Sequence, residues 1–230
     1  MPRLKRFCPI GVPVHIIQRG NNRNRCFVSD DDMANYSRHL DEASSRYQVD
    51  IHAWVLMTNH VHLLVTPNLH EGVSNMMQYI GRYYVRYFNT KYSRTGTLWE
   101  GRFKSCLVEQ EDYFLVCQRY IELNPIRADM VDDPADYRWS SYRANALGLD
   151  PNIRQPHEIY LSLGNSDRKR QAAYRSLFDG EIKRELINEI RFSSNKGLVL
   201  GSDKFKDKIE VLGGQRTRPP KRGPKAQTAN

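Results

Sequence analysis

His60 and His62 flank Val61 in the segment TNHVHLLV, and these two residues are the sharpest local sign of chemistry in the chain. The segment is rich in β-branched and long apolar residues, so it reads as a strand. Alternate strand residues point to one face, which sends His60 and His62 to one side and Val61, Leu63 and Val65 to the other. Two imidazoles placed in this way can bind one divalent ion, and such an ion can polarise a phosphoryl oxygen. The spacing fits equally well two histidines that merely share a half-exposed strand face. A His/His site also needs a third ligand. Tyr120 and Asn124 stand four residues apart in YIELNPIR, one turn apart on the same side of a helix. The Asn124 carbonyl oxygen could complete a metal site, while the Tyr120 phenol beside the ion could attack phosphorus. A tyrosine taken alone says little, since the chain has 13 and most belong in a core or on the surface.

The two-histidine phosphoesterases, with one H-x-[ST] motif on each half of the fold, provide a contrast. Here His60 opens H-x-H and Leu63 follows it; His15, His39, His52, His70 and His157 all lack Ser or Thr two residues later. That chemistry is disfavoured. The four cysteines, Cys8, Cys26, Cys106 and Cys117, show no C-x2-C spacing, so they read as ordinary thiols rather than as a zinc ribbon.

The elements that must position these residues follow from periodicity. Val12–Gln18 reads as a strand, RGNNRNR as a loop, and the stretch from Ser29 to Tyr47 as a capped helix with Met33, Tyr36, Leu40, Ala43 and Tyr47 inward. Asp50–Met57 and His60–Thr66 form a strand pair around Thr58-Asn59. A helix runs from Gly72 to Lys91, with Met76, Ile80, Tyr83, Tyr84, Tyr87 and Phe88 on its inner side. KSCLVEQ is a fourth strand, and EDYFLVCQRYIELN a helix ending near Asn124-Pro125, where proline disfavours helix in the preceding residue. This order is the βαββαβ pattern of a ferredoxin-like α+β sandwich plus one more helix. One antiparallel sheet with helices on one face and an open face for a ligand is expected. The unit covers residues 1–148, followed by a helical extension over 149–213 and a basic, disordered tail over 214–230.

The 230-residue chain carries a net charge of +9, which favours a polyanionic partner such as nucleic acid. Arg216, Arg218, Lys221, Arg222 and Lys225 lie in the Pro/Gly-rich tail, either as a docking arm or simply solvated. Arg19, Arg23, Arg25, Arg102 and Lys104 lie within the folded part and are the candidate phosphate contacts. Asn21 and Asn22 could read bases, and Trp99 or Phe103 could stack on one. The bland reading for each is a solvated loop residue or a core aromatic. No apolar stretch is long enough to span a membrane, and no apolar signal core follows the basic N-terminus, which points to the cytoplasm.

Five segments, taken in order, resemble the REP-associated tyrosine transposases, a branch of the bacterial single-tyrosine HUH transposases of the IS200-like type. They are HIIQRGNNR (15–23), IHAWVLMTNHVHLLVTP (51–67), GTLWEGRFKSCLVE (96–109), YIELNPIRADMV (120–131) and DYRWSSYRAN (136–145), spanning about residues 10–148. The resemblance implies a ferredoxin-like fold, Mg2+ or Mn2+ on His60 and His62, Tyr120 as nucleophile and Asn124 as third ligand. It also implies single-stranded DNA substrates that form hairpins at repetitive extragenic palindromes, cut through a 5′-phosphotyrosyl intermediate. Two other readings compete: a non-catalytic DNA- or RNA-binding regulator, and a replication or conjugation initiator, whose usual helicase or relaxase body is missing from this sequence. Relatives act as homodimers or as monomers. The sequence does not choose between these states, though the extension could obstruct a dimer contact.

Overall fold

The computed structural model describes residues 6–149, 153, 155–213 and 217–219. The first strand, β1 (Val14–Arg19), leads through a short 3-10 turn at Asn21–Arg23 into α1 (Asp30–Tyr47). Asp32 starts that helix by accepting from the backbone N–H groups of Val28 and Ser29, at 2.8 and 3.1 Å, which satisfies donors that a helix start leaves orphaned. β2 (Val49–Met57) and β3 (His60–Pro67) form the hairpin, α2 (Gly72–Lys91) follows, and β4 (Lys104–Val108) closes the four-strand pattern. Next come α3 (Gln110–Glu122), α4 (Asn124–Arg127) and α5 (Tyr142–Leu147). The extension forms α6 (Glu158–Leu161), α7 (Asp167–Ser176), α8 (Arg184–Lys196), β5 (Val199–Leu200) and α9 (Asp203–Gly213).

Among the described residues the strand order is β2-β3-β1-β4-β5. The first four strands pair antiparallel, with Ile17 opposite His62 and Arg19 opposite His60. This is the expected ferredoxin-like arrangement. The sheet is not purely antiparallel, however. β5 adds in parallel to the free edge of β4, Leu107 opposite Val199 and Val108 opposite Leu200. A two-residue strand is too short to show alternation, so the sequence marks it only as a glycine-bounded apolar run.

Each face of the sheet has its own core. Val14 and Ile16 of β1 and Val61, Leu63 and Val65 of β3 pack with Tyr36, Leu40, Met76, Ile80, Tyr84 and Phe88 from α1 and α2. The opposite parity, including Leu64, Cys106 and Val108, packs with Phe114, Cys117, Tyr120 and Ile121 of α3 and with Ile190 of α8. In β2 a register shift between Ile51 and Ala53 changes which residues face which core. The expected open sheet face is therefore covered. Leaving its apolar strand residues, such as Leu64, Cys106 and Val108, in water would forgo about 25 cal/mol per Å2 of buried apolar area. Tyr83 also departs from expectation: it is exposed and stacks on Tyr79 at 4.4 Å.

The extension is integral to this body. α7 packs Tyr174 against Tyr142 and Tyr160, and α8 lies on the sheet. The charged part of the expected helical extension, Arg168–Arg191, is divided between α7 and α8. Within the tail, Thr217 is buried and its carbonyl accepts from Val199 N–H at 3.3 Å. Arg218 pairs with Asp207 and Glu210 of α9, at 2.7 and 3.0 Å, so residues 217–219 fold back on the protein. Arg216, Lys221, Arg222 and Lys225 lie outside the described residues. All four cysteines are free thiols. Among the described residues no helix is long and apolar enough to cross a membrane.

Candidate active site

β3 sends His60 and His62 to the α3 side of the sheet, with ring centroids 5.0 Å apart. α3 brings Tyr120 against them: its ring meets the edges of His62 and His15, each at 6.0 Å between centroids. One turn on, the Asn124 amide nitrogen donates to the carbonyls of Tyr120 and Ile121, both at 3.1 Å. Its Oδ1 accepts no hydrogen bond among the described residues. The four residues line one cavity of about 460 Å3, together with Ile17, Arg19, Glu100, Gly101, Arg102, Lys104, Arg191 and Asn195.

Both histidines are held neutral. The His60 Nδ1 meets Asn59 Oδ1 at 2.6 Å, and an acceptor there fixes the proton on Nδ1 and leaves Nε2 as the lone-pair atom. The His62 Nδ1 lies 2.9 Å from His15 Nε2. Burial, reinforced by Arg19, lowers His60 to about 4. Burial first, then the neighbouring His15, His60, Arg127 and Arg19, hold His62 well below an ordinary imidazole. Neutral imidazole is the form that binds metal. With ring centroids 5.0 Å apart, the two imidazoles could both offer a nitrogen to one ion. No group of three His, Cys, Asp or Glu side chains suited to a metal occurs among the described residues. Asn124, whose amide oxygen could add a further donor, lines the same cavity. Two imidazole nitrogens and an amide oxygen could hold a divalent ion that completes its shell with water.

Tyr120 is 5% exposed, and among the described residues its hydroxyl has no hydrogen-bond partner. The Arg127 guanidinium hydrogen-bonds the Tyr120 carbonyl and lies 4.3 Å from the ring centroid, which restrains the ring. Burial lowers Arg127 to about 10, so it remains a cation at neutral pH. Arg19, Arg102, Lys104 and Arg191 give the cavity its positive lining, and Lys104 Nζ is held by Asn195 Oδ1 at 3.0 Å. Two histidines, a tyrosine and cations around one space would suit attack on a phosphodiester.

The other candidates separate. Asn22, Arg23 and Arg25 are exposed on the loop after β1, outside the cavity, and Asn21 is half-buried there. That loop is tied to the site through Asn59, whose amide donates to Arg23 O at 3.1 Å and whose carbonyl accepts from Gly20 N–H at 2.9 Å. Trp99 is 6% exposed in the core between Tyr36 and Tyr84, so it has no free face for a base. Its indole contributes packing, and the stacking role expected from sequence does not fit this placement. Phe103 is 8% exposed with the Arg6 guanidinium 3.9 Å from its ring centroid, so a base would have to displace Arg6. Sequence reasoning missed His15, Arg127, Arg191, Ser194 and Asn195. Only His15 had a usable signal: on β1 it shares parity with Arg19, but which strand it would face depends on long-range pairing.

The fold is ferredoxin-like with a tyrosine helix laid across the histidine strand. The transposase IS200-like family matches residues 10–124, half of the chain, and the chain belongs to that family. A REP-associated tyrosine transposase, solved bound to a REP hairpin, superposes with a TM-score of 0.53 at 19% identity, covering 68% of this chain and 93% of that one. A proposed transposase from Deinococcus radiodurans R1 aligns with a TM-score of 0.37 at 20% identity, over 52% of this chain and 96% of that one. No curated protein matches the chain.

Proposed function

We propose that this transposase is a sequence-specific single-stranded DNA endonuclease that cleaves and rejoins DNA at hairpin-forming repetitive extragenic palindromes through a 5′-phosphotyrosyl intermediate. The observation that carries the reading is the meeting of Tyr120, His60, His62 and Asn124 in one cation-lined cavity. The hairpin bound by the structurally similar REP-associated transposase supports the substrate class. A divalent ion, Mg2+ or Mn2+, on His60, His62 and Asn124 would neutralise charge on the scissile phosphate. Arg19, Lys104 and Arg191 hold the backbone on either side. The Tyr120 oxygen bonds to phosphorus as its proton passes to water. The bond from phosphorus to the upstream 3′ oxygen breaks, and that oxygen leaves as a 3′-hydroxyl after taking a proton. A 3′-hydroxyl from another end reverses the chemistry and releases Tyr120. The ester is preserved throughout, so no external energy source is needed.

With α3 and α8 on the sheet face, the strand follows the cavity mouth between β1, the 100–104 loop and α8 rather than crossing an open sheet. Covalent trapping tests the reading. The chain and its Tyr120→Phe variant are incubated with labelled single-stranded hairpins from beside its own gene, with Mn2+ or EDTA. A denaturation-resistant adduct only with Tyr120 and metal is expected. Tight binding with no adduct under any metal would favour a binding-only regulator.

A further inference from the structure

A chain of buried hydrogen bonds runs from the candidate metal pair to the C-terminal extension. His62 Nδ1 lies 2.9 Å from His15 Nε2, and His15 Nδ1 lies 2.9 Å from Ser194 Oγ of α8. The His15 and His62 rings are nearly coplanar, 18° apart with centroids separated by 5.1 Å, so their nitrogens meet edge to edge. All three residues are buried, so no bulk water competes for these protons. Two arrangements satisfy both distances. In one, His62 Nδ1–H donates to His15 Nε2 and His15 Nδ1–H donates to Ser194 Oγ. In the other, the Ser194 hydroxyl donates to His15 Nδ1, His15 Nε2–H donates to His62 Nδ1, and the remaining His62 proton sits on Nε2.

The difference decides the site. Only the first arrangement leaves a lone pair on His62 Nε2, the nitrogen not engaged with His15. It also leaves the Ser194 hydroxyl proton free to turn elsewhere. We propose that His15 and Ser194 are positioning residues that hold His62 in its Nδ1–H tautomer, so that α8, beyond the family match at residues 10–124, completes the metal site within the same chain. This rests on the metal reading of His60 and His62 given above. Partners of this kind orient a ligating imidazole, and losing them typically weakens metal affinity by about 10–100-fold.

The test begins with the metal-free full chain labelled with 15N-histidine, whose imidazole nitrogen shifts report the tautomer directly. A protonated Nδ1 and a bare Nε2 on His62 are expected; the reverse tautomer would overturn the proposal. Mn2+ affinity is then measured by electron paramagnetic resonance, without reference to cleavage. His15→Phe, which removes the acceptor, should weaken Mn2+ binding by about 10–100-fold. His15→Gln, whose amide oxygen can accept from Nδ1–H and whose NH2 can reach Ser194, should recover most of it. Hairpin affinity in EDTA should be the same for all three proteins. Equal Mn2+ affinity of the unaltered chain and His15→Phe would overturn the role of His15 alone. No Mn2+ binding by the unaltered chain would instead overturn the metal reading beneath it.

Discussion

Burial holds His15 at about 3, and burial with the Arg19 charge holds His60 at about 4, whereas an imidazole in an unfolded chain titrates near 6.5. Between those values the unfolded chain binds protons that the folded chain refuses. The histidine cluster therefore contributes stability that is fully present above pH 6.5 and is lost as the pH falls through about 4 and then 3. The urea midpoint of the metal-free chain should fall steeply from pH 6.5 to 4. His15→Gln should flatten that fall, since Gln does not titrate; an unchanged slope would mean His15 is not one of the groups responsible. The cavity cations make a second prediction at this scale. Lys104→Ala should weaken binding to single-stranded DNA of any sequence and reduce the slope of log affinity against log salt by about 0.7, the value for one phosphate contact. Trp99→Phe, a change inside the core, should leave that slope alone. Salt titrations of the two variants side by side decide the matter.

The tyrosine helix is placed by what lies behind it. Glu122, two residues after Tyr120, is fully buried and accepts from Ser141 Oγ at 2.5 Å, Asn145 Nδ2 at 2.7 Å and Tyr174 Oη at 2.7 Å. One carboxylate thus ties α3 to the turn before α5, to α5 itself and to α7. Glu122→Ala strands these neutral donors in a buried space, at about 1–3 kcal/mol for each one left without a partner. The loosened helix should also lower the rate of adduct formation more than hairpin affinity. Denaturant unfolding and single-turnover trapping of the same variant measure the two effects. Such cross-links are where sequence reading stops. β1 to α3 were legible because each element carries its own period: three-to-four spacing in α1 and α2, and alternation in β3, which puts His60 and His62 on one side. Glu122 reads as an ordinary helix acid, because its partners are 19, 23 and 52 residues away. The His60, His62, Tyr120 and Asn124 constellation was legible from spacing and family resemblance together. Arg191, Ser194 and Asn195 were not, because nothing local says that α8 will lie on the sheet.

A boundary after residue 148 follows a change in sequence texture, yet the folded chain does not divide there. Ile190 of α8 and Leu200 of β5 share a core with Phe114, Cys117 and Tyr120, and Val199 joins the core on the other face. Removing everything after residue 148 would take away Tyr174, Ile190, Val199 and Leu200, all buried, and uncover the strand edge of β4. At about 1.5–3 kcal/mol for each large apolar side chain, the loss equals or exceeds much of the 5–15 kcal/mol that holds a typical domain folded. An exposed β4 edge adds a pairing surface prone to association. A fragment of residues 1–148 should therefore fail to accumulate as a folded monomer, showing weak near-ultraviolet circular dichroism and aggregates on size exclusion. A sharply melting monomeric fragment that still binds hairpin DNA would mean the extension merely decorates an independent domain. The same coverage bears on oligomeric state. α8 already occupies the sheet face beside Tyr120 and supplies Arg191 and Asn195 to the cavity, so each protomer holds its own tyrosine helix against its own histidines. Mixing Tyr120→Phe chains with His62→Ala chains should then restore no cleavage, since neither protein can lend the other its missing group. Restored cleavage in the mixture would instead require a dimer in which tyrosine helices are exchanged.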